Sequence, residues 1–233
     1  MSLESLIYER KSCRKYRDDE ISQDEFDKIS DFVDKAAVLD ESIDFEYEIL
    51  RKDDVNLKTR WSAPYYLSIY SQNRNNYKEN VGFVFQQVSL YMQSLGIGNC
   101  WVGMGQPNEK RDDFVILISF GRSDDISRNL DQFKRKDISK FSDFEDDRLK
   151  PAYYAPSAGN SQPWYFKHSD DGFDVYQDNF NPIKRKLFGK MNPIDLGIGL
   201  SHLYIANPET FKYEVKDDFE DLRGYTYNCS VSF

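Results

Sequence analysis

Residues 80–108 read NVGFVFQQVSLYMQSLGIGNCWVGMGQPN, 29 positions without a charge in a chain whose residues are 30% charged. Unpaired charge is too costly inside a fold, so such a stretch belongs to the interior. Val81, Val84, Val88, Tyr91, Met92 and Leu95 recur at helical spacing. Phe83, Phe85 and Leu90 widen the stripe until the helix is apolar nearly all round, the pattern of a core helix over 80–98. Gly96 and Gly98 supply its stop. Three shorter uncharged stretches, 61–73, 151–166 and 196–208, join the same interior. PIDLGIGLSHLYIAN (193–207) reads as a second core helix, over 194–206, closed by Asn207-Pro208.

Around these helices, β-branched and aromatic content predicts strands at 45–50, 63–70, 114–121, 162–168, 173–177, 211–215 and 225–233. Ser22-x-x-Glu25 and Ser142-x-x-Glu145 have the form of capping boxes opening amphipathic helices. The element order then repeats: capped helix, strand, strand, buried helix, strand, with the second round starting near Ser139. Residue identity between the rounds is poor, so the repeat is one of architecture. The preferred reading is a duplicated α+β unit, one globular body over 1–233 with halves 1–138 and 139–233. One irregular α+β domain whose order repeats by accident is the alternative.

Composition narrows the function classes. With 31 Lys+Arg against 40 Asp+Glu the net charge is −9, which argues against a dedicated nucleic-acid binder. Aromatics at 15% and apolar residues at 39% suit a packed protein. Cys13, Cys100 and Cys229 are odd in number and contain no CxxC, and His168 and His202 stand alone, which speaks against a disulfide framework or structural zinc. MSLESLIYERKSCRKY has no apolar signal core, and Val81–Leu95 is too short for a span and carries glutamines, so the expected location is cytoplasmic.

Three segments carry chemistry. Arg10, Lys11, Arg14, Lys15 and Arg17, with Ser12 among them, put five cations and no acid into eight residues. Guanidinium groups beside a hydroxyl suit a phosphate, although a solvated basic face explains the run about as well. The islands 134–136 and 184–186 read as solvated surface. APSAGNSQPW (155–164) is a small uncharged loop running into a strand; its backbone can approach a flat ligand while Ser and Asn bond its edge. GNCWVGMG (98–105) follows the first core helix, but it is neither G-x-G-x-x-G nor a P-loop, so a Rossmann site and an NTPase site are unsupported. Cys100 reads as a structural thiol rather than a nucleophile.

Taken together these segments resemble a known family. ERKSCRKY (9–16) resembles the R-R-S-x-R-x-[FY] opening of the FMN-dependent nitroreductases, APSAGNSQPW resembles their second hallmark almost letter for letter, and the core helix running into LGIGNCWVG (95–103) is similar to their third. Ordinary members hold the first two hallmarks close together, whereas here the loop is displaced past the first core helix. The chain looks like the branch in which one chain mimics the family homodimer, and DLGIG (195–199) fits that branch. The resemblance implies a nitroreductase-like α+β fold, with two antiparallel-sheet/helix halves arranged as a single-chain pseudo-dimer. It implies a monomer, open to further dimerisation.

The resemblance also implies a cofactor and the residues that would hold it. FMN would bind in one site across the halves, the second pseudo-site having lost its parts. Arg10, Lys11, Ser12 and Arg14 would hold the phosphate and ribityl chain. Pro156, Ser157, Ala158 and Asn160 would line the isoalloxazine, and Val102, Gly103 and Met104 would offer backbone near its reactive edge. Arg135 and Lys136 would add a phosphate cation, and Asn56 would stand at the pyrimidine edge. No side-chain acid or base is demanded. NAD(P)H would give hydride to flavin N5, and a nitroaromatic, quinone or flavin-like acceptor would take it. The alternatives are a flavin-binding scaffold without turnover, or a specialised flavin enzyme for dehalogenation or flavin fragmentation on the same fold.

Overall fold

Asn76 starts the first core helix from a left-handed conformation (φ 61°), and Gly96 (φ 74°) ends it in the same region, where only glycine sits without strain. The computed structural model describes residues 2–233. In chain order the first elements are α1 (Leu3–Ile7), α2 (Gln23–Val33), β1 (Phe45–Arg51), β2 (Val55–Leu57), β3 (Tyr65–Ser71), α3 (Tyr77–Ser94), β4 (Ile97–Val102), β5 (Gly105–Pro107) and β6 (Phe114–Arg122). There follow α4 (Lys150–Tyr153), β7 (Trp164–Ser169), β8 (Gly172–Asp178), α5 (Pro182–Phe188), α6 (Asn192–Ala206), β9 (Lys212–Glu214) and β10 (Tyr225–Ser232).

Two four-stranded antiparallel sheets form, in the orders β1-β3-β6-β4 and β7-β8-β10-β9. In each the helix intervenes between the second and third strand in sequence, α3 in one and α6 in the other, so the sheets share one topology. Strands β2 and β5 make a small separate ribbon.

The two buried helices pack on each other through reciprocal glycines. A Cβ on Gly82 of α3 would stand 2.1 Å from the Ile194 carbonyl oxygen of α6, and one on Gly197 of α6 would stand 1.9 Å from the Glu79 carbonyl oxygen of α3. Both glycines lie three residues beyond the carbonyl that the other contacts, so the crossing is self-complementary, as in an isologous interface.

Polar residues on α3 hold other segments. Gln87 Oε1 accepts from the Ala37 N–H at 3.1 Å, Asn80 Oδ1 accepts from the Leu39 N–H at 2.9 Å, and Gln93 donates to the Ile126 carbonyl at 2.9 Å. Gln86 Oε1 accepts from Trp101 Nε1 at 3.0 Å, and its amide nitrogen lies 3.0 Å from His202 Nε2. His202 Nδ1 lies 3.0 Å from the Pro151 carbonyl. Burial lowers the His202 pKa to about 3, so the ring is neutral. The carbonyl then requires the proton on Nδ1, Nε2 accepts from Gln86, and every group in the chain of bonds is satisfied.

Two expectations are corrected. Ser142 and Glu145 open no amphipathic helix. Ser142 forms a parallel bridge to Phe166, the Phe166 N–H bonds the Phe141 carbonyl at 2.8 Å, and Phe141 is buried, so pairing with β7 claims this backbone. Helix there is limited to α4 and one 3-10 turn, Asp147–Leu149. The first core helix ends at Ser94 and not at residue 98, because residues 97–102 form strand β4. Gly98 serves the edge of that strand, where a Cβ would lie 2.9 Å from Cys13 Sγ.

Candidate functional site

The basic segment 10–17 is fixed by backbone pairing. Helix α1 buries Leu6 and Ile7 against Leu90 of α3, and the Arg10 N–H returns to the Leu6 carbonyl at 2.8 Å. The chain then runs beside the first sheet, with Cys13 N–H donating to the Asn99 carbonyl at 2.9 Å and Arg17 N–H to the Arg122 carbonyl at 2.8 Å. On its other side Arg10 bridges Ser127, and Arg128 Nε donates to the Arg10 carbonyl at 3.0 Å.

The loop 155–161 is tied down as firmly. Ala155 is buried, Ser157 Oγ accepts from the Gln162 N–H at 2.9 Å, and the Ala158 N–H donates to both carboxylate oxygens of Asp195 on α6, at 3.0 and 3.1 Å. Gly159 and Asn160 both take positive φ, 57° and 56°. Asn160 Oδ1 accepts from Arg135 at 2.6 Å and its amide donates to the Lys134 carbonyl at 2.9 Å, which joins the loop to the second basic island.

A cleft of about 390 Å³ opens between the two segments, lined by Arg10, Lys11, Ser12 and Arg14 on one side, Arg128, Lys134 and Arg135 on another, and Pro156, Ser157, Gly159 and Asn160 on the third. No acid lines it, although acids outnumber bases in the chain. Of the six cations only Lys11 is ion-paired among the described residues, with Asp125. Arg10 is 5% exposed, and its guanidinium donates to Ser12 Oγ at 2.8 Å with no carboxylate partner among the described residues. Burial, then the neighbouring Arg128 and Arg135, lowers its pKa to about 9. Arg135 is lowered to about 10, chiefly by burial, and its buried Nε has no partner among the described residues. Unneutralised buried cations are costly, so the arrangement calls for an anion.

The remaining sequence candidates fall elsewhere. Lys136 is turned away from the cleft; its amine donates to the Gln162 carbonyl at 2.9 Å and lies 3.4 Å from Asp178. The Ala158 N–H is committed to Asp195, so it is not free for a ligand. Val102 is buried with Ala63, Tyr66 and Leu117, while Met104 is 62% exposed and its carbonyl accepts from the Lys58 N–H. Asn56 is exposed on β2, opposite Gln106. Gly103 connects this ledge to the rest, because a Cβ there would meet Met191 Sδ at 3.1 Å. Cys100 is buried, and burial raises its thiol pKa.

The structure adds residues that sequence reading passed over. Arg128 and Lys134 join the cleft, and Phe188 of α5 lies over Gly159, whose Cβ would come 2.5 Å from the ring. Arg128 is an isolated cation in SRNLDQF and carries no local signal; only its bridge to the basic segment reveals it. The island 134–136 is not plain solvated surface, since Arg135 and Lys136 are each partly buried and bonded.

Comparison with known proteins places the chain. Among solved structures, one described as "a putative nitroreductase" from Thermotoga maritima shares the fold with a TM-score of 0.64 and 22% identity, over 88% of this chain and 83% of that one. "A putative nitroreductase in complex with FMN" from Desulfovibrio desulfuricans gives a TM-score of 0.43 and 16% identity, over 59% of this chain and 92% of that one. No curated protein matches the chain. A family model described as "Putative TM nitroreductase" matches residues 2–207, and the chain belongs to that nitroreductase family.

Proposed function

We propose that the protein is an FMN-dependent oxidoreductase of nitroreductase type. The observation that carries this reading is the Arg10 guanidinium, buried without a carboxylate in an acid-free cleft whose opposite wall is the Pro156–Asn160 loop. A volume of about 390 Å³ lies in the range of cofactor pockets. The donor set also fits a phosphate on one side and a flat ring system on the other. Arg10, Ser12 and Arg14, with Arg128 and Arg135, would hold the phosphate. Pro156, Ser157 and Asn160 would line the ring.

Bound FMN supplies hydride transfer, from NAD(P)H to a nitroaromatic, quinone or flavin-like acceptor. The chain's part is to bind and orient. Ser12 holds the Arg10 fork at a fixed angle, and Asn160 holds Arg135 against the loop, so the cations are positioned before a ligand arrives. None of the cleft's lining residues is an acid or a histidine, so none is positioned to exchange a proton near neutral pH.

The single-chain pseudo-dimer belongs to this proposal. It is supported by the shared sheet topology and the reciprocal Gly82 and Gly197 contacts. A second pair of matching contacts supports it too: Asn80 of α3 holds the Leu39 N–H, and Asp195 of α6 holds the Ala158 N–H. On this reading 36–39 (AAVL) is the counterpart of 155–158 (APSA), without the Pro and Ser that would line a second ring site.

The test is a visible spectrum of the purified protein with FMN, followed by NADH or NADPH without oxygen. Stoichiometric flavin that bleaches is expected. Flavin that binds and never bleaches with either donor sinks the reductase reading. Arg14 is exposed and unpaired among the described residues, so Arg14→Ala keeps the fold and should weaken FMN binding about 10- to 100-fold, the value of one charge-assisted hydrogen bond.

A further inference from the structure

The Arg10 cleft does not end at its cations. Arg128 and Gln132 line it on one side and line a further hollow, of about 510 Å³, on the other. Arg128 is fixed in that dividing position. Its Nε donates to the Arg10 carbonyl at 3.0 Å, and its guanidinium carbon lies 4.2 Å from the centre of the Phe133 ring. No residue of the 155–161 loop lines the hollow, so it adjoins the phosphate end of the cleft and not the ring end.

The lining changes character across Arg128. The cleft has six cations and no acid, whereas the hollow has Arg128 as its single cation and Glu9 as its single acid. The Glu9 carbonyl accepts the Arg128 N–H at 2.8 Å, which sets the two residues side by side, and the Glu9 carboxylate has no partner among the described residues. A carboxylate there repels a further phosphate but accepts hydrogen bonds from sugar hydroxyls. Tyr8 and Leu130 supply apolar surface. The Tyr8 ring is held edge-on to Tyr154, centroids 5.6 Å apart, and Leu130, in the 3-10 turn Leu130–Gln132, is left 49% exposed. A ring and an aliphatic face suit a nucleobase, so arginine, acid and apolar pair follow one another in the order phosphate, sugar, base.

We infer that the hollow takes a nucleoside joined to the flavin phosphate, so that the chain binds FAD in place of FMN, with adenine on Tyr8 and Leu130 and the ribose hydroxyls on Glu9. The inference rests on the flavin reading of the Arg10 cleft. Connectivity excludes the nicotinamide donor from this place, because the donor meets the flavin at the ring and the hollow opens from the phosphate.

Fluorescence titration of the full chain with FMN, and with FAD freed of FMN, tests it. FAD is expected to bind at least about tenfold more tightly, the value of one stacked base. Leu130→Ser with Tyr8→Leu, the first exposed and the second keeping an apolar side chain toward Leu6, should remove that advantage and leave FMN affinity unchanged. Arg14→Ala, at the shared phosphate end, should weaken both flavins alike. The inference is overturned, with the flavin reading intact, if FMN binds and FAD binds no more tightly. It is overturned too if the Leu130/Tyr8 variant loses nothing toward FAD or loses equally toward both, or if Arg14→Ala weakens FMN alone. If neither flavin binds, the flavin reading itself fails and takes the inference with it.

Discussion

Gly197→Ala tests the helix crossing on which the cleft is built. The added Cβ would stand 1.9 Å from the Glu79 carbonyl oxygen and 2.9 Å from the Phe83 nitrogen, both backbone atoms that cannot swing aside. Ordinary van der Waals contact needs more than a further ångström, so α3 and α6 must separate along a line that includes Val81, Phe83, Ile194 and Ile198, all at most 2% exposed. Overpacking of this kind costs about 3 kcal/mol, and alanine's better helix propensity returns about 1 kcal/mol. A net loss of about 2 kcal/mol lowers the Tm by about 4–8 °C in a chain of this size. Gly82→Ala, with its 2.1 Å approach to the Ile194 carbonyl, should match it, and the double variant should fall short of additivity because the first substitution has already parted the helices. Gly199→Ala is the control: it lies on the same helix, and its Cβ meets Trp164 at an ordinary 3.4 Å, so it should be neutral or slightly stabilising. Thermal unfolding followed by circular dichroism reads all four. If Gly197→Ala melts with wild type, or Gly199→Ala is the more damaging, the reciprocal crossing is not what holds these helices.

Asp195 is buried, and burial raises its carboxyl well above the usual range despite the Ala158 N–H. A raised folded-state pKa means that full stability is present below the ordinary carboxylate range and is lost as pH rises through the folded value. The loss reaches a slope of at most about 1.4 kcal/mol per pH unit. Asp195→Asn installs the amide that Asn80 uses in the matching role, so it should gain on wild type as pH rises and converge with it toward the acid side of the ordinary carboxylate range. Parallel melting curves across pH would refute this. Gly159→Ala forces a non-glycine residue to φ 57° and a methyl into the Phe188 ring at 2.5 Å. It should cost about 1–2 kcal/mol from the backbone alone and weaken FMN retention. Phe188→Ala added to it should restore part of the loss, and a loss unchanged in the double variant would mean that the ring does not press on this loop.

How much of the fold is legible in the residues depends on what each signal rests on. The core helices, the seven strands inferred from β-branched and aromatic content, and the Ser22 capping box all rest on patterns within a dozen residues, and each stands in the structure within a few residues of its expected bounds. Strand β4 is hidden because Gly96 and Gly98 read as the stop of the core helix; its pairing with β6 and the Cys13 contact at Gly98 explain both the strand and the glycine. The Ser142 box is a sound local signal overridden by the burial of Phe141 beside β7.

The site divides in the same way. By itself the sequence determined that a cationic, hydroxyl-bearing segment exists at 10–17 and an uncharged Pro-Ser-Gly-Asn loop at 155–161, because charge and small size are properties of the residues alone. Tertiary structure alone decided which groups face one cavity: that Arg128 enters and Lys136 leaves, that Asp195 takes the Ala158 N–H, and that Val102, Gly103, Met104 and Asn56 lie outside its lining. Those choices turn on contacts between residues tens to more than a hundred positions apart. Their energies depend on which backbone groups the sheets and the α3–α6 crossing have already satisfied, and no local spacing records that.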